Sequence, residues 1–136
     1  MSKIIGIDYG TQRIGLAISD DGWQFAVTHD TFEVNKDGNF IDYLHDLCKQ
    51  EDVKEIVIGL PLDQHGQQGD KAKEVLKFAE QVKKKCKRTV NFEDERFTSV
   101  MAKQQLDEAA KKHKHKKGLI DQGAAKIILQ SYLDKK

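Results

Sequence analysis

The chain has 136 residues, 38% hydrophobic and 33% charged, with two cysteines, one proline and a net charge of +1. That length predicts one domain over 1–136, and the evenly mixed charge excludes a disordered chain. No stretch approaches the roughly 20 apolar residues that cross a bilayer, the opening MSKIIGIDYG lacks a secretory pattern, and two cysteines make no disulfide framework, so a cytoplasmic protein is expected.

Lys3–Tyr9 is short, β-branched and apolar, and reads as a buried strand. Gly10–Arg13 is a tight turn into a second strand, Ile14–Ser19. Asp20-Asp21-Gly22 turns the chain again, into a third strand within Gln24–Val34. Tight turns imply antiparallel neighbours, hence a meander. Phe40, Ile41, Tyr43, Leu44 and Leu47 then recur at helical spacing, predicting a helix over Asn39–Gln50.

Val53–Leu60 is a buried strand that ends in Gly59-Leu60-Pro61-Leu62, and a polar loop, 63–69, follows it. Asp70 is positioned to cap a helix striped with Val75, Leu76, Phe78, Ala79 and Val82. Arg88–Phe92 reads as a fifth strand leading into the surface acids Glu93-Asp94-Glu95. Thr98 can cap a helix carrying Val100, Met101 and Leu106, the Lys/His segment reads as a loop, and a last helix spans Leu119–Leu133. The order βββαβαβαα predicts an α/β fold, a mixed five-stranded sheet with helices on both faces, in the ribonuclease-H-like layout.

The net charge conceals a division. Residues 1–70 carry 5 Lys+Arg against 13 Asp+Glu, a balance of −8, and residues 71–136 carry 18 against 9, a balance of +9. Two runs dominate the basic half, Lys83–Arg88 and Lys111–Lys117. Such asymmetry hints at nucleic-acid contact, although each run alone reads as a solvated helix end or loop.

The chemistry resides in carboxylates at apolar positions. Asp8 closes a strand with the pattern of a central one, where an unpaired acid costs several kcal/mol unless it caps the following turn or holds a metal. Asp121 lies three, four, seven and eleven residues before Ala124, Ala125, Ile128 and Tyr132, inside the apolar arc of the last helix. A dipole role in the first helical turn is the simpler alternative, but a cap normally precedes the stripe. The acids after the fifth strand supply a third candidate. Clustered carboxylates take up protons or a divalent cation, and oxygen-only ligands favour Mg²⁺ or Mn²⁺.

Divalent ions beside basic residues are the equipment of phosphodiester hydrolysis. Arg13, Arg96, Lys112, Lys114, Lys116 and Lys117 are the candidates for holding the polyanionic strand. Other chemistries fare worse. The five histidines show no paired ligand spacing, and Cys48 and Cys86 are far apart in sequence, which argues against zinc. Neither a nucleophile elbow nor a GxxxxGK[ST] loop occurs. Trp23 follows a turn and reads as a packing residue.

Asp8-Tyr9-Gly10-Thr11-Gln12-Arg13-Ile14-Gly15 with Ser19-Asp20, Gly59-Leu60-Pro61-Leu62, Asp94-Glu95-Arg96-Phe97-Thr98, and Ile120-Asp121 with Ala124-Ala125 and Ile128–Leu133 together resemble the YqgF family. The blocks come in the family's order and span nearly the whole chain. The resemblance implies a ribonuclease-H-like fold and a cytoplasmic nuclease that matures the 5′ end of 16S ribosomal RNA precursor, with Asp8, Glu95 and Asp121 as catalytic and metal-holding acids. Spacing leaves open which of Asp94 and Glu95 faces the metal.

The family is also described as a Holliday-junction resolvase by similarity to RuvC-type enzymes. Those carry a glutamate where this chain has Gly59, so the missing carboxylate would have to come from the neighbouring strand. The alternatives are therefore a junction resolvase acting as a two-fold dimer, a non-catalytic nucleic-acid-binding factor, and a sugar-kinase-like ATPase, for which one lobe is too short. A monomer and a homodimer are both compatible with the sequence.

Overall fold

A computed structural model describes residues 2–61, 69–94 and 116–136, with side chains from residue 123 onward in the last segment. Five strands form one sheet: β1 (Lys3–Asp8), β2 (Arg13–Ser19), β3 (Ala26–Glu33), β4 (Val53–Leu60) and β5 (Thr89–Asp94). Their spatial order is β3-β2-β1-β4-β5. The first three pair antiparallel, while β4 joins β1 and β5 joins β4 in parallel. This is the expected mixed sheet with its meander.

Side chains of alternate parity leave β1 on opposite faces. Ile5 and Ile7 enter a core with Leu44 and Leu47 of α1 (Phe40–Gln50) and Val75, Phe78 and Val82 of α2 (Asp70–Cys86). Ile4 enters a second core, with Val57, Ala125, Ile128 and Leu129, beneath α3 (Lys116–Asp134). Helices thus cover both faces, as expected.

The α3 face is built for close approach. A Cβ at Gly6 would stand 2.6 Å from Leu129 Cβ and 3.0 Å from the Ala125 carbonyl oxygen. Ala17 and Ala26 continue the small-residue strip along β2 and β3. The buried Ser19 hydroxyl accepts the Ile4 N–H at 2.8 Å, satisfying an amide where the β1–β4 register shifts.

Edge strand β3 is blunted by side chains. The backbone N–H groups of Ala26, Thr31 and Glu33 donate to Gln130, Asp30 and Asp37. Occupied amides leave little template for a further strand.

Local details depart from the sequence reading. Asn39 is the cap of α1, its side chain accepting from the Asp42 N–H, so that helix begins at Phe40. Gly69, not Asp70, caps α2, and it makes no side-chain bond. Asp70 is instead a first-turn acid, favourably placed against the helix dipole. β5 runs to Asp94 because its pairing with β4 continues through Leu60. α3 starts at Lys116, three residues earlier than expected, since lysine is a good helix former.

The helix expected after Thr98 lies outside the described residues. No helix among the described residues is long and apolar enough to cross a membrane.

Candidate active site

Asp8 is the last residue of β1, flanked by β2 through its pairing with Gly15 and by β4 through the Ile7–Ile58 pair. It is half-buried, at the C-terminal end of an otherwise apolar central strand. Having the parity of Ile4 and Gly6, it belongs to the α3 face. The next position of β4 is Gly59, which pairs with Glu93 of β5. At the strand ends, the α3 face thus carries an acid, a glycine and an acid in adjacent strands.

The helix runs against β1. Lys136, at its C-terminal end, lies over Trp23, 4.9 Å from the ring centroid, and the Trp23 indole N–H donates to the Ser2 carbonyl at 2.8 Å. That end of the helix therefore sits by the start of β1. Two residues on from Gly6 along β1 is about 7 Å, and one turn back from Ala125 along α3 is about 5.4 Å. The α3 backbone at Asp121 accordingly lies toward the end of β1 that carries Asp8.

Strand parity separates the acids of β5. Glu93 shares the α3 face with Gly59, whereas Asp94 pairs with Leu60, which packs in the α1/α2 core. Asp94 thus belongs to the face opposite Asp8. Glu93, expected as a surface turn residue, is buried, with 6% of its surface exposed. Lys135 Nζ donates to both its carboxylate oxygens, at 2.6 and 2.9 Å. The added strand length and a lysine 42 residues away explain its burial.

The turn after Asp8 forms one wall of a cleft of about 530 Å³. Thr11, Gln12 and Arg13 line it from the turn, and Asp70 and Lys71 from the start of α2. Tyr9 fixes the turn by stacking on Phe78 of α2, with ring centroids 4.3 Å apart. Arg13 therefore lines this cleft, five residues after Asp8 in the chain.

Among the described residues, no three metal-ligating side chains converge. Glu95, Arg96, Lys112 and Lys114 lie outside the described residues. Lys116 and Lys117 form the start of α3.

The whole chain has clear relatives. The model of the family described as "RuvX: Holliday junction resolvase" matches residues 2–135. The chain belongs to the RuvX family. A Syntrophomonas wolfei protein named "Putative pre-16S rRNA nuclease" is 42% identical over 97% of this chain and 94% of its own length. A Bacteroides fragilis protein of the same name is 37% identical over 100% and 99%.

Solved structures share the fold. RuvC of T. thermophilus, in complex with Holliday junction substrate, superposes with a TM-score of 0.60 at 12% identity, covering 98% of this chain and 94% of its own. Fowlpox virus resolvase with junction DNA gives 0.58 at 13%, covering 98% and 97%. The RuvX membership and the full-length nuclease relatives make this chain a phosphodiester-hydrolysing nuclease.

Proposed function

We propose that this RuvX-family chain is a divalent-metal-dependent nuclease that trims the 5′ end of pre-16S ribosomal RNA in the cytoplasm. The observation that carries the reading is Asp8, half-buried at the end of the central strand, on the face that α3 covers. The name shared by the full-length relatives supports the substrate.

Asp8, Glu95 and Asp121 hold Mg²⁺ or Mn²⁺ in this reading. The donors are carboxylate oxygens, and the cysteines and Tyr132 lie in the cores away from the Asp8 end, which suits a hard cation. Asp94 belongs to the face opposite Asp8, which favours Glu95 over Asp94. Metal ions bound there supply activation of a water nucleophile and stabilisation of the leaving oxygen.

The chain's own groups do the rest. Asp8 orients its carboxylate at a rigid strand end, Gly59 leaves room beside it, and Arg13 holds a phosphate of the strand in the cleft. Arg96 and Lys112, Lys114, Lys116 and Lys117 add backbone contacts.

The test uses purified protein on 5′-extended 16S precursor with Mg²⁺ or Mn²⁺. Asp8→Asn and Asp121→Asn should each cut at least 100-fold more slowly (on the order of the loss when a metal-held charge is removed). Cutting at the unmutated rate would refute the site.

A second reading, a Holliday-junction resolvase, is favoured by the family description and the RuvC-like fold. It predicts symmetric cuts in four-way DNA junctions by a two-fold dimer. Junction and precursor cleavage measured side by side, with the mass in solution, separate the two.

A further inference from the structure

The basic run that ends α2 takes no part in the site above. Five of the six residues Lys83–Arg88 are cationic. Two have partners within the fold: Arg88 donates to the Val53 carbonyl at 2.7 Å and the Cys86 carbonyl at 2.9 Å, and Lys85 reaches Asp42 of α1 at 3.7 Å. Lys83, Lys84 and Lys87 have no carboxylate partner among the described residues. Lys83 and Lys87, with Thr89, line a cleft of about 500 Å³.

Cations in a last helical turn complement the dipole, and that accounts for Lys83, Lys84 and Lys85. It does not account for Lys87. This residue follows the helix in the left-handed conformation, φ 53° and ψ 46°, with its N–H bonded to the Lys83 carbonyl. Glycine takes that position without strain, and lysine does not. A charged side chain kept there at a conformational cost points to a use for the charge.

We propose that Lys83 and Lys87 form a second contact for the phosphodiester backbone of the nucleic acid whose strand enters the cleft between the Gly10–Arg13 turn and the start of α2. The proposal rests on the nuclease reading and extends it. The start of α2 lines that cleft and its end carries the second contact. Seventeen helical residues separate them by about 25 Å, the span of roughly seven nucleotides of one strand. Between the two ends, the exposed side of α2 alternates Lys73 and Lys77 with Glu74 and Glu80, so the positive charge concentrates at the far end. The flank of the substrate, rather than its scissile nucleotides, is what this patch reads.

The experiment compares the double variant Lys83→Gln/Lys87→Gly with Lys36→Gln/Lys49→Gln, which removes two exposed lysines elsewhere. Affinity is measured in EDTA against salt, on 5′-extended 16S precursor with a flank of 12 nucleotides or of 4, and on a four-way DNA junction. On the long flank the first variant should bind about tenfold more weakly near physiological salt, with the slope of log K against log salt reduced by about 1.4. The short flank should bind both variants and the unmutated protein alike. The same dependence on junction arms rather than RNA would keep the patch and assign it to the DNA-cutting reading.

Because Lys87→Gly relieves the backbone, a lowered melting temperature cannot explain weaker binding, and thermal melting checks this. Unchanged affinity on the long flank, or equal losses from the control variant or on the short flank, overturn the patch while leaving the nuclease reading intact. Failure of the unmutated protein to bind either nucleic acid overturns both.

Discussion

Tyr132 shows how one side chain closes the α3 face. Its hydroxyl donates to Glu55 Oε2 at 2.8 Å and accepts from the Asn91 amide at 3.0 Å. Burial, then the Glu55 hydrogen bond and charge, push its pKa up to about 12 from the ordinary 10.0. A pKa raised on folding gives stability that is complete below pH 10 and is lost as pH rises through 12. Tyr132→Phe should therefore cost about 1–2 kcal/mol at pH 8, because Glu55 and Asn91 lose a partner. Urea unfolding at pH 8 and pH 11 checks it: the difference between the two proteins should shrink at the higher pH. A constant difference would show that the hydroxyl does not titrate with folding. Cys48 and Cys86 illustrate another local coupling. A hydrogen bond between their side chains, then burial, raises the Cys48 thiol above its usual range, and the same bond lowers that of Cys86 against the opposing effect of burial.

The α3–sheet contact is where an element positions chemistry. Gly6→Ala places a Cβ within 2.6 Å of Leu129 Cβ, a contact only a shift of the helix can relieve. It should cost about 1–3 kcal/mol in chemical denaturation. Because the same helix carries Asp121, nuclease activity should fall even at temperatures where the variant is fully folded. Full activity in a folded, destabilised variant would separate α3 packing from the site.

The role of such elements was legible in sequence where the signal was local. Short, near-continuous apolar runs marked β1, β2 and β4, and the spacing of Ala124, Ala125 and Ile128 marked the buried face of α3. Asp8 stood out as an acid ending an apolar strand. The illegible features depend on distant partners. Glu93 is buried by a parallel pairing with Gly59 and a bond from Lys135, neither visible in the neighbouring residues. Cys48 and Cys86, 38 positions apart in the sequence, meet only because α1 and α2 pack together. The register also supplied what spacing left open, the face to which Asp94 belongs.

At the scale of the whole molecule, the proposed metal ties activity to stability. In the proposed metal site, two carboxylates 4 Å apart would repel by about 4 kcal/mol at an effective dielectric of about 20 when no cation is bound. Removing one charge should relieve that cost, and Asp8→Asn without divalent metal should melt no lower than the unmutated protein. Adding Mg²⁺ or Mn²⁺ reverses the order. A ligand that binds only the folded state at ten times its Kd stabilises by about 1.4 kcal/mol, or about 5 °C in Tm for a chain of this size. The unmutated protein should show that rise, and Asp8→Asn should lose most of it. The same titration at 1 M NaCl guards against general screening, since a specific site retains its metal while diffuse attraction fades over a Debye length of about 3 Å. Equal rises in both proteins would place the cation elsewhere. A rise confined to the unmutated protein would tie the cation to Asp8 at the end of β1.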